Sequence, residues 1–245
     1  MSSTDGTEYT SSLAGLSPRL ALADEVYARL RTLIMESTIP PGTRINIEDA
    51  ARRLAVSPTP VREALARLES DGLVEKFALR GYRTTDLLQL SEVVDLFDLR
   101  LLLEPQTAAR AASRITPEAR VALMKELEFG RASTDDGDFG SYNLLSSHDV
   151  RFHDLIFAAA GNELARQAYS RTHCHLHTFR LAFHGTYGAH TVEEHTAIAD
   201  AIVAGDGTLA ERTMASHIEK SLERTKADHP EAYARAQQGG DSSPI

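Results

Sequence analysis

One thirteen-residue stretch, Ser57 to Glu69, constrains the fold more than any other part of the chain. Its apolar residues recur at helical spacing, so one face of the predicted helix would pack on a core. These apolar residues are Val61, Leu65 and Leu68. Thr59, Arg62 and Arg67 fall on other faces and would point outward. The stretch therefore predicts a helix that presents cations to a long, regular, anionic partner.

The flanking residues indicate a larger motif. Ser57 suits the N-cap of this helix, and prolines in its first turn cost little because the N–H groups there are unpaired anyway. Residues 47–56 predict a second short helix ending in a tight turn at Ala55 and Val56. Residues 71–77 and 78–85 predict two strands of a hairpin with a basic tip. Helix, turn, helix and hairpin together are the layout of a winged helix-turn-helix.

The run from Val26 to Thr85 resembles the DNA-binding half of GntR-family bacterial transcription regulators. The resemblance is carried by Pro40-Pro41-Gly42, by residues 57–65 and by Asp71-Gly72-Leu73-Val74. It implies that Thr59 and Arg62 lie at the DNA, and that Arg80 and Gly81 at the wing tip enter the minor groove.

Ser57 and Arg67 complete the predicted DNA-binding set. Many relatives have arginine where this chain has Pro58, so the operator is expected to differ at that position. An alternative role for Arg62 is an ion pair within the head, with acidic residues at positions 48, 63 or 69. The two roles are compatible.

The charge of the chain is unevenly distributed. The formal net charge is −9, which is unusual for a nucleic-acid binder. Residues 19–85 nevertheless carry eleven Lys and Arg against nine Asp and Glu, whereas residues 86–245 carry fifteen against twenty-four. All ten histidines lie between His148 and His229. A mildly basic head on an acidic body predicts salt-sensitive binding that needs two heads for affinity.

The composition is that of a globular protein, and the predicted helices give a mainly α fold. We expect a winged helix-turn-helix over residues 19–86, an antiparallel bundle of six or seven helices over residues 87–235, and disordered tails at 1–18 and 236–245. No apolar run is long enough to span a membrane, and the first residues lack the order of a signal peptide. The single cysteine, Cys174, excludes an internal disulfide. These features favour the cytoplasm.

The bundle is predicted from successive amphipathic segments. They cover residues 90–113, 116–133, 141–160, 163–183, 191–204 and 208–227, with a kink at Pro105 and loops at 135–138 and 185–189. Asp149 and His153 are four residues apart and share a helix face. His195 and His217 each stand on a face that otherwise turns apolar residues inward. Four potential metal ligands on three helices would thus converge inside the bundle.

Residues 90–227 resemble the all-helical effector domain, FCD, of the FadR-type branch of GntR regulators. The resemblance is carried by residues 97–100, 103–104, 149–153, 161–162, 194–195, 205–206 and 217. In many members an aspartate and three histidines hold a divalent metal, and the matching positions are Asp149, His153, His195 and His217. Such ligands suit zinc first, with nickel, manganese or iron as alternatives.

A metal held by four protein groups leaves coordination positions for water or for a small carboxylate effector. We expect Arg100 and Arg180 to pair with the remaining charge of that effector, unless each is used in a salt bridge to a neighbouring acid. His173 and His177 would share a helix face as pocket residues, with a competing metal pair or ordinary packing as alternatives.

These features predict a homodimeric, metal-containing transcription factor that represses a catabolic operon from a palindromic DNA operator. A direct metal-ion sensor is one alternative. A metal-dependent hydrolase is another, since an open metal site can activate water. No general base accompanies the ligands at a definable spacing, so we expect no enzymatic activity.

Overall fold

The computed structural model describes residues 18–77, 81–133, 139–181 and 188–228. The chain divides into two compact units, a head of residues 1–86 and an effector unit of residues 87–245. Of the two predicted tails, residues 1–17 and 236–245 fall outside the described residues, as do Arg80 and the loop at 135–138.

The head is a winged helix-turn-helix, as predicted. Its elements are α1 (Pro18–Met35), β1 (Arg44–Ile45), α2 (Ile47–Arg53), α3 (Pro58–Ser70), β2 (Val74–Phe77) and β3 (Gly81–Thr84). The strands form an antiparallel sheet in the order β1-β3-β2. Strand β1 was not predicted, because two residues are too few to show an alternating pattern. It pairs Arg44 with Arg83 and Ile45 with Tyr82.

The core of the head forms on α3. This helix buries Pro60, Val61, Ala64, Leu65 and Leu68. The turn before it has Ala55 at φ 55°, which is an uncommon conformation for a residue with a side chain.

Ser57 occupies the N-cap position of α3, but its side chain makes no capping hydrogen bond. Ser57 therefore stands at the predicted cap position but does not cap the helix with its side chain. A physical reason is that Pro60 stands at the third helical position, where the usual N–H donor is missing.

The described part of the effector unit contains seven helices. They are α4 (Leu90–Ala112), α5 (Pro117–Ala132), α6 (Phe139–Ala160), α7 (Glu163–Ser170), α8 (Cys174–Leu181), α9 (Gly188–Ala204) and α10 (Gly207–Asp228). Helix α4 continues through Pro105 and packs against α6, α9 and α10, while α5 packs against α6 and α9. Along the described residues no helix has both the length and the apolar character needed to cross a membrane.

One helix prediction was wrong. The expected single helix over residues 163–183 is divided into α7 and α8 at residues 171–173, where His173 has φ 49°. The sequence has no glycine or proline at this break. Instead, the Thr172 hydroxyl donates to the Tyr169 carbonyl and accepts from the Cys174 N–H, so local side-chain bonds replace helical ones.

Other local signals are confirmed. The Thr116 side chain accepts the Ala119 N–H at 3.2 Å, and Pro117 follows as the first helical residue of α5. Gly161 has φ 67°, which suits the turn between α6 and α7. The core of the bundle is built from apolar side chains of α4, α5, α6, α9 and α10. Its large members include Phe97, Leu127, Phe152, Ile156, Ile198, Ile202 and Ile218.

Candidate metal centre and nucleic-acid interface

The four predicted metal ligands meet inside the effector unit. Asp149 and His153 lie on α6, His195 on α9 and His217 on α10, and all four are buried. Each contributes one potential ligand atom, and these atoms lie within 4.8 Å of one another. Three helices therefore bring together one carboxylate and three imidazoles at a spacing that one metal ion can bridge.

Contacts on the outer side of the cluster fix which imidazole nitrogen faces inward. The Nδ1 atom of His217 is 2.8 Å from Glu194 Oε2, and that of His153 lies against Glu104 Oε2. The Nε2 atoms of His153 and His195 face Asp149 Oδ1, at 3.8 and 3.3 Å. Asp149 Oδ1 and the Nε2 atoms are thus the expected metal-binding atoms.

The residues fit a divalent cation. The Nε2 atoms of His153 and His195 are buried and make no hydrogen bond among the described residues. Burial lowers the pKa of His153 to about 4 and that of His195 well below its ordinary value. The imidazoles of His153 and His195 are therefore neutral near pH 7, which is the form that binds metals. A bound ion would supply the partner that these buried nitrogens lack.

The second oxygen of Asp149 belongs to a buried polar network. Asp149 Oδ2 accepts from His175 Nδ1, and His175 Nε2 is 2.9 Å from the Tyr169 hydroxyl. That hydroxyl donates to Glu104 Oε1 at 2.7 Å. Because the hydroxyl proton is used there, both His175 nitrogens must donate, which requires the imidazolium form. Burial alone would lower the pKa of His175, but Cys174 and Asp149 raise it to about 10.

Glu104 and Arg100 balance the charge of this network. The Arg100 Nε donates to Glu104 Oε1 at 2.6 Å, and both side chains are almost fully buried. Burial alone would raise the pKa of the Glu104 carboxyl, but the Arg100 guanidinium holds that pKa well below its ordinary value. The salt-bridge alternative for Arg100 is therefore realised in the structure.

A small cavity adjoins the metal cluster. It has a volume of about 30 Å³ and is lined by Arg100, Asp149, Thr178, Phe179, Thr191, His217 and Ser221. Arg100 Nη2 is buried and has no hydrogen-bond partner among the described residues. Arg100 thus reaches the same cavity as two of the predicted metal ligands, and it keeps one donor free for an anion.

The other predicted effector residues are not among the side chains that line this cavity. His173 precedes α8 with φ 49°, and its carbonyl accepts the His177 N–H at 3.0 Å. Burial and the charge of Arg180 lower the pKa of His177 to about 4. Arg180 itself is 5% exposed.

In the head, the predicted DNA contacts at α3 are accessible, Ser57 and Arg67 among them. Thr59 and Arg62 are exposed on α3. Arg62 Nη2 is 3.4 Å from Glu48 Oε1, with both side chains more than half exposed. An exposed pair of this kind contributes only about 0–1 kcal/mol, so a phosphate or a base can displace Glu48.

Arg67 contacts α1, unlike Arg62, which pairs with Glu48 of α2. The Arg67 guanidinium pairs with Asp24 of α1 and lies 4.1 Å from the centre of the Tyr27 ring. Arg67 therefore lies on the α1 side of α3, in an ion pair whose side chains are 49% and 63% exposed. Gly81 begins β3 with φ 83°, a conformation that favours glycine at the end of a hairpin turn.

Sequence reasoning missed the residues that surround the ligands. Glu104, His148, His175 and Glu194 are all close to or in contact with a predicted ligand. Glu194 also accepts two bonds from Arg224, each 2.8 Å long. Burial alone would raise the pKa of Glu194, but His217 and Arg224 lower it to about 2. The sequence signal for Glu104 was an acid four residues after Arg100, on a helix face that is otherwise apolar.

The chain is similar to known regulators along both units. Residues 95–220 match the FCD domain, and residues 22–83 match "Bacterial regulatory proteins, gntR family". The HTH-type transcriptional regulator BphR of Paraburkholderia xenovorans is 28% identical over 222 residues, covering 82% of this chain and 84% of BphR. The HTH-type transcriptional repressor RspR of Escherichia coli is 27% identical over 213 residues, covering 86% and 92%.

A solved structure agrees with the fold. The structure of E. coli McbR/YncC superposes with a TM-score of 0.66 and 18% sequence identity, covering 85% of this chain and 98% of that chain. At this identity the likeness supports the fold alone.

Proposed function

Since the chain belongs to the gntR family of bacterial regulatory proteins and carries an FCD domain, we propose that it is a homodimeric, metal-containing repressor that responds to a small organic acid. The members of this family that it resembles are DNA-binding transcription regulators and not enzymes. RspR is named as a repressor, which supports the same direction of control for this chain. We propose that it binds its DNA operator in the cytoplasm.

The convergence of Asp149, His153, His195 and His217 carries the proposal. Zinc is the first candidate ion, with nickel, manganese and iron as alternatives. When bound, the ion supplies an anchor for a carboxylate oxygen. The four residues would hold the ion, and two of them, Asp149 and His217, line the cavity that Arg100 also lines.

The charge and size of the cavity favour a small anion. Arg100 offers one unused buried N–H donor group beside Asp149 and His217. The cavity of about 30 Å³ is far below the roughly 300–1,000 Å³ of ordinary ligand pockets. An organic acid must therefore move the walls as it enters. Such movement is a means by which the effector unit would favour one conformation over another.

Two heads in a dimer would read the two halves of a palindromic operator. The exposed residues Thr59 and Arg62 on α3 and Gly81 at the wing are the proposed contacts of each head, together with Arg80, Ser57 and, less directly, Arg67. A coupling of about 1–3 kcal/mol between the effector site and the heads would change operator affinity several-fold or more.

The test is an operator-binding titration with metal-loaded protein. The operator is first selected from random duplex DNA, and affinity is then measured by fluorescence anisotropy with and without small hydroxy acids and dicarboxylates. An acid that weakens binding at least fivefold supports the proposal. If metal alone changes operator affinity and no acid does, the direct metal-ion sensor is the better description. No change with either would contradict both.

A further inference from the structure

His195 is connected to the surface of the effector unit through a second, fully buried histidine. His148 Nε2 is 2.9 Å from His195 Nδ1, and His148 Nδ1 is 3.0 Å from Glu126 Oε1 on α5. Arg151 in turn binds both oxygens of Glu126, at 2.8 and 2.9 Å. His148 is 0% exposed, whereas the Arg151 side chain is 46% exposed.

The direction of these hydrogen bonds follows from the metal-binding role of His195. If His195 Nε2 is the ligand atom, its proton must lie on Nδ1, which then donates to His148 Nε2. His148 must consequently carry its own proton on Nδ1 and donate it to the Glu126 carboxylate. One arrangement of protons satisfies the whole chain of contacts.

Gly130 provides the space for this buried histidine. A Cβ atom at Gly130 would lie 2.6 Å from His148 Cε1 and 2.7 Å from His148 Nε2, which is too close for any side chain. Glycine inside a helix such as α5 lowers helix stability relative to alanine. The position of the His148 ring accounts for its presence.

The two other histidine ligands are each held by a carboxylate directly. Glu104 lies against His153 Nδ1 and Glu194 against His217 Nδ1. Phe152 stacks on the ring of His195 with the centroids 4.0 Å apart, so His195 is fixed by a stacked face and by one hydrogen bond. The bond to His148 thus takes the place that a carboxylate has at the other two histidines.

We infer that Glu126 and His148 are positioning residues for metal binding, and that they set the tautomer and orientation of His195. Gly130 contributes to the same arrangement because it leaves space for the His148 ring. The inference rests on the proposed metal, because only a bound ion gives His195 Nε2 its role. Such outer contacts typically change metal affinity by about 10- to 100-fold when they are removed.

The first test compares the affinities of three full-length variants for Zn²⁺ alone, measured by competition with a chromophoric chelator. We expect Glu126→Gln and His148→Phe to weaken Zn²⁺ binding by about 10- to 100-fold. The control is Glu128→Gln, an exposed acid on the same helix, which should stay within about twofold of the unchanged protein. Equal affinity in all three variants would overturn the inference.

A double-mutant cycle between positions 130 and 148 tests the geometry without relying on one variant. Gly130→Ala should weaken Zn²⁺ binding while His148 is present, because the methyl group displaces the ring. In the His148→Ala background the space is open, so Gly130→Ala should have no further effect. Additive losses would mean that Gly130 does not act through His148, and would contradict the proposed role.

Two further readings separate positioning from general damage. Metal-free Glu126→Gln should keep the helix content and the cooperative unfolding of Glu128→Gln, while the Co²⁺ absorption spectrum of Glu126→Gln changes. Loss of metal affinity that only follows a loss of helix content or of cooperative unfolding would count against the inference. If the unchanged protein binds no ion, both the proposed metal and the positioning role of Glu126 and His148 are wrong. If it binds the ion and the variants bind it equally well, only the positioning role is wrong.

Discussion

Replacing Glu104 by glutamine should destabilise the effector unit by about 3–5 kcal/mol, the cost of leaving a buried charge without its partner. Glu104 Oε1 accepts from Arg100 Nε at 2.6 Å and from the Tyr169 hydroxyl at 2.7 Å. Arg100 is 2% exposed, so water cannot replace the lost carboxylate. Glutamine keeps the size of the side chain, so the change isolates the charge.

The assay is urea and thermal unfolding followed by circular dichroism, with a chelator present so that metal binding does not contribute. For a unit of this size, about 3–5 kcal/mol corresponds to a melting temperature roughly 6–20 °C lower. Asp98→Asn is the matched control, since Asp98 is an exposed acid on the same helix. We expect Asp98→Asn to change stability by less than about 0.5 kcal/mol.

A double variant completes this test. Combining Glu104→Gln with Arg100→Met removes both charges, so neither charge is left buried without its partner. Most of the lost stability should therefore return. If Glu104→Gln is as stable as Asp98→Asn, the pair does not balance a buried charge and the reasoning is wrong.

Three other predictions concern DNA, metal and pH. Arg62→Ala should weaken specific operator binding by about 1–3 kcal/mol, measured by anisotropy; an equal loss in Arg29→Ala, an exposed arginine of α1, would indicate a general charge effect. Stripping the metal should lower the melting temperature by about 5–11 °C if the ion is present at 100 times its Kd, and Zn²⁺ should restore it. Burial and the hydrogen bond to Asp71 raise the pKa of Tyr27 to about 12. The stability that Tyr27 contributes is therefore present below pH 10 and lost as the pH rises from 10 towards 12; phenolate absorbance of Tyr27→Phe should lack one group that titrates near pH 12.

The sequence predicted those features that depend on residues close together in the chain. Asp149 and His153 share a helix face because they are four residues apart, and Thr116 and Pro117 specify the start of α5. The winged helix-turn-helix has its caps, turn and hairpin in order. Each of these is a local pattern, and local patterns depend only on helix and strand geometry.

The remaining features depend on partners that are distant in the chain. No glycine or proline marks the break before α8 in the sequence, because the break depends on hydrogen bonds of the Thr172 hydroxyl. His148 acquires its role from Glu126 and His195, which are 22 and 47 residues away. The sequence carries one sign of this contact. A glycine inside a predicted helix, here Gly130, often marks a place where another group, here the His148 ring, packs close to the helix backbone.

The central claim is that the effector unit binds a divalent metal ion through its aspartate and three histidines. Metal content tests it most directly. The purified full-length chain, its His153→Ala variant and its His190→Ala control are compared by elemental analysis, His190 being an exposed histidine of α9. We predict about one divalent ion per chain in the unchanged protein and the control, and little in His153→Ala. An unchanged protein without a divalent ion, or a His153→Ala variant with full metal content, would contradict the account.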